Sequence, residues 1–201
     1  KLVADLLRVT GQLCVTNDSH AGEYLAGGHL WHTDWAPDDE PEDFLGGYFA
    51  QLEAIESRMT DILSDKRPAR ELLEEHSGEV VDSLIGAVRT GQERTWDALN
   101  LPNVGLVANL PAGCIVEVPG RVRNGRVEGQ PVGELPQVLA GWCQLQASIH
   151  ALTARAALAG DRRAALEALL LDPVVPDCHT AERCLEALLD AHRNHLPRFF
   201  A

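Results

Sequence analysis

The chain has 201 residues, enough to bury a substantial core without disulfide or metal staples. Its 45% hydrophobic and 23% charged content is ordinary for a globular protein and argues against disordered, collagen-like and low-complexity classes; no apolar run approaches the ~18 residues of a membrane span. With 17 Lys and Arg against 30 Asp and Glu, the net charge is −13, which argues against nucleic acid or an anionic membrane surface as partner.

Leu2, Val3, Leu6 and Leu7 form the stripe of a short first helix that Gly11 can stop. A polar segment from Cys14 to Leu25 follows and leads through Gly27-Gly28 into the aromatic and histidine patch His29–Trp35. It reads as a loop and a helix start. Pro41, after Asp38-Asp39-Glu40, suits a first helical position, and Leu45, Tyr48, Leu52, Ile55, Met59 and Ile62 then mark the seam of a long amphipathic helix. A charged break, Asp65–Arg70, precedes a further helical stretch. There Val81, Leu84, Ile85 and Val88 share a face, and the spacing carries the helix past Gly91 to Trp96 and Leu99, ending at Asn100-Leu-Pro-Asn103.

Val104–Pro111 and Cys114–Pro119 are short β-branched runs, and Asn124-Gly125 is a hairpin signal, so a small antiparallel sheet is expected here. After Pro136 helix returns, with Trp142, Leu145, Ile149, Leu152 and Ala156 on one face and Gly160 as stop. Asp161 caps the next helix, Asp172-Pro breaks it, and a last helix is expected from about Thr180 to His195 with Cys184, Leu185, Leu188 and Leu189 inward. The predicted class is α+β, mainly helical with a small antiparallel sheet, in a single domain over residues 1–201.

Five cysteines, Cys14, Cys114, Cys143, Cys178 and Cys184, are an odd set with no C-x-x-C, which points to free thiols and a cytoplasmic location. Lys1 opens the chain without a basic-then-apolar leader, so a trimmed or partial polypeptide is expected rather than a secretory precursor. Neither G-x-G-x-x-G nor a G-x-x-x-x-G-K phosphate loop occurs, so the chain does not build a usual dinucleotide site by itself.

Chemistry gathers in Asn17–Tyr24. A helix starting near Asp18 or Ser19 sets Asp18 and His20 at an end whose backbone N–H groups attract anions, with Glu23 one turn on; Asp18 or Ser19 as a plain N-cap is the structural alternative. His20, His29 and His32 with Asp34 are residue types that bind zinc or manganese, although their spacing is weakly specific. No Lys or Arg lies between Arg8 and Arg58, so a phosphorylated ligand at this loop finds no local cation, and a neutral sugar-like ligand is favoured. Cys178 and Cys184, beside His179, read as half-buried packing.

Three stretches, in order along the chain, carry a family resemblance: Asn17-Asp-Ser-His-Ala-Gly-Glu-Tyr-Leu25; Pro102–Pro119 with its Asn-Leu-Pro and Val-Glu-Val-Pro; and Gly133-Glu-Leu-Pro136 followed by Ala159-Gly-Asp161 and Ala168-Leu-Leu-Leu-Asp-Pro-Val-Val-Pro176. The chain resembles the C-terminal half of the NAD- and manganese-dependent glycoside hydrolases of family 4. The resemblance implies a lactate-dehydrogenase-like C-terminal domain serving substrate binding and oligomerisation, whose N-terminal Rossmann half, carrying NAD and the Mn2+ ligands, is not in this chain. It sets Cys14 apart from the metal-binding cysteine and assigns no metal ligand here.

It also implies hydrolysis of non-phosphorylated α-glycosides by oxidation at C3, deprotonation at C2 and β-elimination. Asp18 would be the C2 base, His20 a substrate or metal-shell contact, Glu23 and Tyr24 residues that orient the loop, and Asn103 a candidate for lining the cleft. Implied partners are the glycoside, the Rossmann half and further copies of the chain. Two other classes compete: a non-catalytic binding or assembly module of the same fold, and a metal-binding helical protein using His20, His29 and His32, which metal titration of the chain separates from the rest.

Overall fold

The computed structural model describes residues 1–16, 18–27, 41–74 and 81–201. The patch His29–Trp35, and with it His29, His32 and Asp34, lies outside the described residues. Helix α1, Leu2–Thr10, buries Leu2 and ends where Gly11 turns left-handed at φ 72°, as its sequence predicts. Helix α2, Asp18–Glu23, is a turn and a half long and packs on α1. The long helix α3, Pro41–Leu63, begins at Pro41 and buries Ile62, while Leu52 and Ile55 stay exposed along part of the predicted seam. A short α4, Glu71–Glu74, and α5, Val81–Thr90, follow.

Two expectations fail after α5. The predicted helix does not run through Trp96 and Leu99: Gly91 stops α5 at φ 73°, and Arg94–Pro102 is a strand, β1. It pairs antiparallel with β2, Ile115–Arg123, but the register shifts between Trp96 and Leu99. A bulge inserts an extra residue, so two inward side chains fall three apart and imitate helical spacing. Nor is Val104–Pro111 a strand. It is a loop that touches the sheet region through one bridge, Val107 with Gly133.

The hairpin prediction holds. β3, Arg126–Gly129, returns antiparallel on β2 across Asn124-Gly125, both at positive φ as a two-residue turn requires, and the sheet order is β1-β2-β3. β2 alternates strictly, with Val116, Val118, Gly120 and Val122 inward. Trp96, Leu99 and Val122 pack with Ala87 of α5, while Leu106 and Val107 of the loop pack on Val116 and Val118; Leu101 joins both clusters. A β-carbon at Gly129 would lie 2.7 Å from Leu106 Cδ1, so the bare strand there seats the loop on the sheet. α5 turns Leu84 and Ala87 to the sheet and leaves Val81, Ile85 and Val88 exposed, which splits the single apolar face predicted for it.

Helix α6, Gln137–Ala159, follows Pro136 and stops at Gly160, which is left-handed at φ 69°. Asp161 caps α7, Arg162–Leu171, by accepting from the Ala164 N–H at 3.0 Å. Alanines 156, 164 and 168 are buried where α6 and α7 meet, and their small side chains let the two axes approach closely. α8, Cys178–Ala191, starts and ends earlier than predicted, buries Ala181, Leu185 and Leu189, and leaves Leu188 46% exposed. Cys184 is half-buried on it and Cys178 exposed. A closing 3-10 turn, Pro197–Phe200, lies against α6, where Arg198 Nη1 donates to Leu158 O at 2.6 Å. A β-carbon on Gly160 would collide with the Arg198 carbonyl, so this contact depends on glycine.

The α8 cap is pH-sensitive. The Thr180 backbone N–H (2.9 Å) and then its hydroxyl (3.0 Å) donate to the Asp177 carboxylate and hold it below its ordinary value of 3.8. The folded form therefore prefers the ionised carboxylate. That contribution is complete above the unfolded value and is lost as pH falls through the folded one. Amide exchange at Thr180 is expected to quicken as pH drops below 3.8, after correction for intrinsic rates, and Asp177→Ala should remove that dependence. An Asp177→Ala profile equal to the parent's would refute the assignment.

Candidate functional site

The two motif-bearing segments reach the same stretch of α6 from different sides. α2 carries the Asp18-Ser-His20 triplet on its first turn. His20 Nδ1 stands 3.3 Å from Glu23 Oε2, and both side chains are largely exposed. The side chain of Asp18 lies outside the described residues; its backbone position opens the helix.

Alongside α2 lies an open cleft of about 230 Å³, walled by Leu6 of α1, Ala21, Tyr24 and Leu25, and by Trp142 and Cys143 of α6. Cys14, Thr16 and Gln146 complete it. Burial first, and then the neighbouring Cys114 and Cys14 thiols, push the Cys143 thiol above its ordinary value, so it is a neutral wall at pH 7. Sequence reasoning set Trp142 on the core-facing stripe of α6 and gave Cys143 no part. The missing information is long-range, since these residues meet α2 only through the fold.

The Pro102–Pro119 segment reaches α6 by another route. Gln144 Nε2 donates to Asn109 O at 2.8 Å, and Cys114 contributes its thiol beside Cys143. The loop is held from within by Asn103, which is 1% exposed. Its Nδ2 donates to the carbonyls of Val107 (3.0 Å), Leu110 (3.1 Å) and Pro111 (3.1 Å), while Oδ1 accepts from the Val107 N–H at 3.1 Å. Asn109 then ties the loop to the start of α6 by exchanging two hydrogen bonds with the Leu135 backbone, at 2.8 and 3.0 Å. Asn103 was a candidate for lining the cleft, but its amide is buried and spent on its own loop. It braces the segment from within.

Among the described residues no three His, Cys, Asp or Glu side chains are grouped to hold a metal ion. The thiol trio does not make a metal centre. Among the described residues, too, no helix is long and apolar enough to cross a membrane.

This arrangement of a bulged three-stranded sheet, a braced loop and a helical end is shared with known proteins. Residues 1–175 match the family 4 glycosyl hydrolase C-terminal domain. The chain belongs to that family, and the glycosidase relationship read from its motifs is correct. An α-glucosidase of Erwinia rhapontici is 27% identical over 175 residues, covering 87% of this chain and 34% of its own length. The crystal structure of lplD from Bacillus subtilis, described as a glucosidase, superposes with a TM-score of 0.75 at 28% identity, covering 94% of this chain and 42% of that one. A 6-phospho-α-glucosidase from gut microorganisms, crystallised with NAD and Mn2+, has the same fold, with a TM-score of 0.70 at 18% identity, covering 96% of this chain and 42% of that one. The chain thus spans about a third of the length of the curated relative, and its relatives include both plain and phospho-glucosidases.

Proposed function

We propose that this chain is the substrate-side domain, over residues 1–201, of a cytoplasmic enzyme that hydrolyses non-phosphorylated α-glycosides by oxidation at C3, deprotonation at C2 and β-elimination. The observation that carries the reading is the convergence of the Asp18–His20 helix and the Asn103-braced loop on residues 142–146 of α6. NAD and Mn2+, bound mainly by a Rossmann portion outside this chain, would supply the hydride acceptor and the Lewis acid.

Asp18, on the first turn of α2, takes the proton from C2. His20, held by Glu23, contacts the substrate. Asn103 acts through the loop it braces. No Lys or Arg lies in the sequence around α2, between Arg8 and Arg58, to pair with a phosphate, which supports a non-phosphorylated glycoside although phospho-glucosidases are among the relatives. The chain would work as a homo-oligomer.

The test uses the protein as purified. Intact mass under native and denaturing conditions first establishes whether a longer or second polypeptide is present. The complete protein is then given 4-nitrophenyl α-glucoside, or its 6-phosphate, with NAD and Mn2+ in deuterated water. Faster turnover of the unphosphorylated substrate, with deuterium at C2 of the released sugar, is expected. Turnover without deuterium overturns the mechanism, a preference for the 6-phosphate overturns the substrate class, and no turnover favours the assembly-module reading.

A further inference from the structure

The cleft beside α2 has a chemistry that the catalytic reading leaves unused. Its walls are mostly carbon: Leu6, Ala21 and Leu25 with the rings of Tyr24 and Trp142. Among the described residues no carboxylate, ammonium, guanidinium or imidazole lines it; their polar groups there are the Thr16 hydroxyl, the Gln146 amide, the Tyr24 hydroxyl and the thiols. A sugar ring buried here would leave most of its hydroxyls without partners, each at a desolvation cost. An aromatic ring would not. An engineered cavity of about 150 Å³ lined by apolar side chains takes up benzene, so a cleft of about 230 Å³ has room for a substituted phenyl group.

Its position relates it to the reaction. Ala21 lies one helical turn after position 18 on the same face of α2, so the cleft wall begins about 5 Å along the helix axis from the residue proposed as base. In a glycoside the leaving oxygen sits on C1, the neighbour of C2. A base engaged at C2 therefore has the aglycone close beside it.

We propose that the cleft between α2 and α6 is the aglycone subsite and that it takes an aromatic leaving group, stacked between Tyr24 and Trp142. The inference rests on the glycosidase reading above and adds the class of leaving group to it. No bond is made in the cleft; it holds the aryl ring while the electron pair at C2 closes the C1=C2 bond and the C1–O pair leaves with the oxygen as phenolate, which takes its proton from water. The protonated Cys143 thiol keeps this wall uncharged and favours a neutral ring over a carboxylate or phosphate.

Two measurements on the complete protein test it. Phenol at millimolar concentration should slow N-ethylmaleimide modification of Cys143, read by peptide mass, several-fold more than that of exposed Cys178. Trp142→Ala should lower the ratio of kcat/KM for 4-nitrophenyl over methyl α-glucoside by about tenfold to a hundredfold, the effect of uncovering one buried ring. Trp142→Phe, which keeps an apolar ring, should retain most of the ratio. Asp18→Asn separates the two proposals, since it should end turnover while phenol still shields Cys143. Equal shielding of Cys143 and Cys178, an unchanged ratio in Trp142→Ala, or shielding in an unsubstituted protein that turns over no glycoside each overturns the subsite.

Discussion

Replacing Asp18 by asparagine in the complete enzyme is expected to lower kcat by about 10² to 10⁴-fold, the range over which a positioned base contributes. The amide has the size and hydrogen-bonding reach of the carboxylate but cannot take a proton. The loss should therefore fall on the C2 step alone. Exchange of the C2 hydrogen with deuterated water should disappear while NAD binding, followed by fluorescence, persists. Undiminished exchange would remove Asp18 from the base role and direct attention to His20, the other titratable group on that turn. If NAD binding falls with the rate, the substitution has disturbed assembly, and the result says nothing for the base.

The second large effect is on stability. Asn103→Ala removes the amide from a fully buried position and leaves the Leu110 and Pro111 carbonyls and the Val107 N–H to find other partners, while Val107 O keeps the Leu110 N–H. Each unmet group costs about 1–3 kcal/mol, and partial relaxation brings the expected loss to roughly 3–5 kcal/mol. That is a large share of the net stability of a domain. Asn109→Ala, which removes two hydrogen bonds from a half-buried site, should cost about half as much. Urea midpoints of the two variants give the comparison. A loss for Asn103→Ala below that of Asn109→Ala would show that the loop is held by Leu106 and Val107 packing and not by the amide.

These two residues also mark what was legible in the sequence. Local punctuation was read correctly: Gly11, Pro41, Asn124-Gly125, Gly160, Asp161 and Asp172-Pro each act within a few residues and bound the elements they were expected to bound. β1 was not, because its bulge converts the period of a strand into that of a helix. The outward turn of Val81, Ile85 and Leu188 was missed for another reason: which stripe of a helix is buried depends on its partner, and the partners are distant in sequence. Motif resemblance located α2 and the Asn103 loop. It did not disclose that Asn103 faces inward, since an asparagine that braces a loop and one that meets a ligand look alike in one dimension. Trp142 and Cys143 lie more than a hundred residues from α2, and only the folded chain brings them to its side.

The close approach at Gly160 links two ends of the molecule. With the Arg198 carbonyl resting where a side chain would stand, and the Arg198 guanidinium on the Leu158 carbonyl, the chain terminus covers the corner between α6 and α7. The Arg193 guanidinium, 4.0 Å from the Phe200 ring, holds the terminus from its other side. The corner and the tail therefore open as one cooperative unit, and the last few residues, which lie beyond the stretch matched to the family, set the local opening free energy of a helix whose other end forms the cleft.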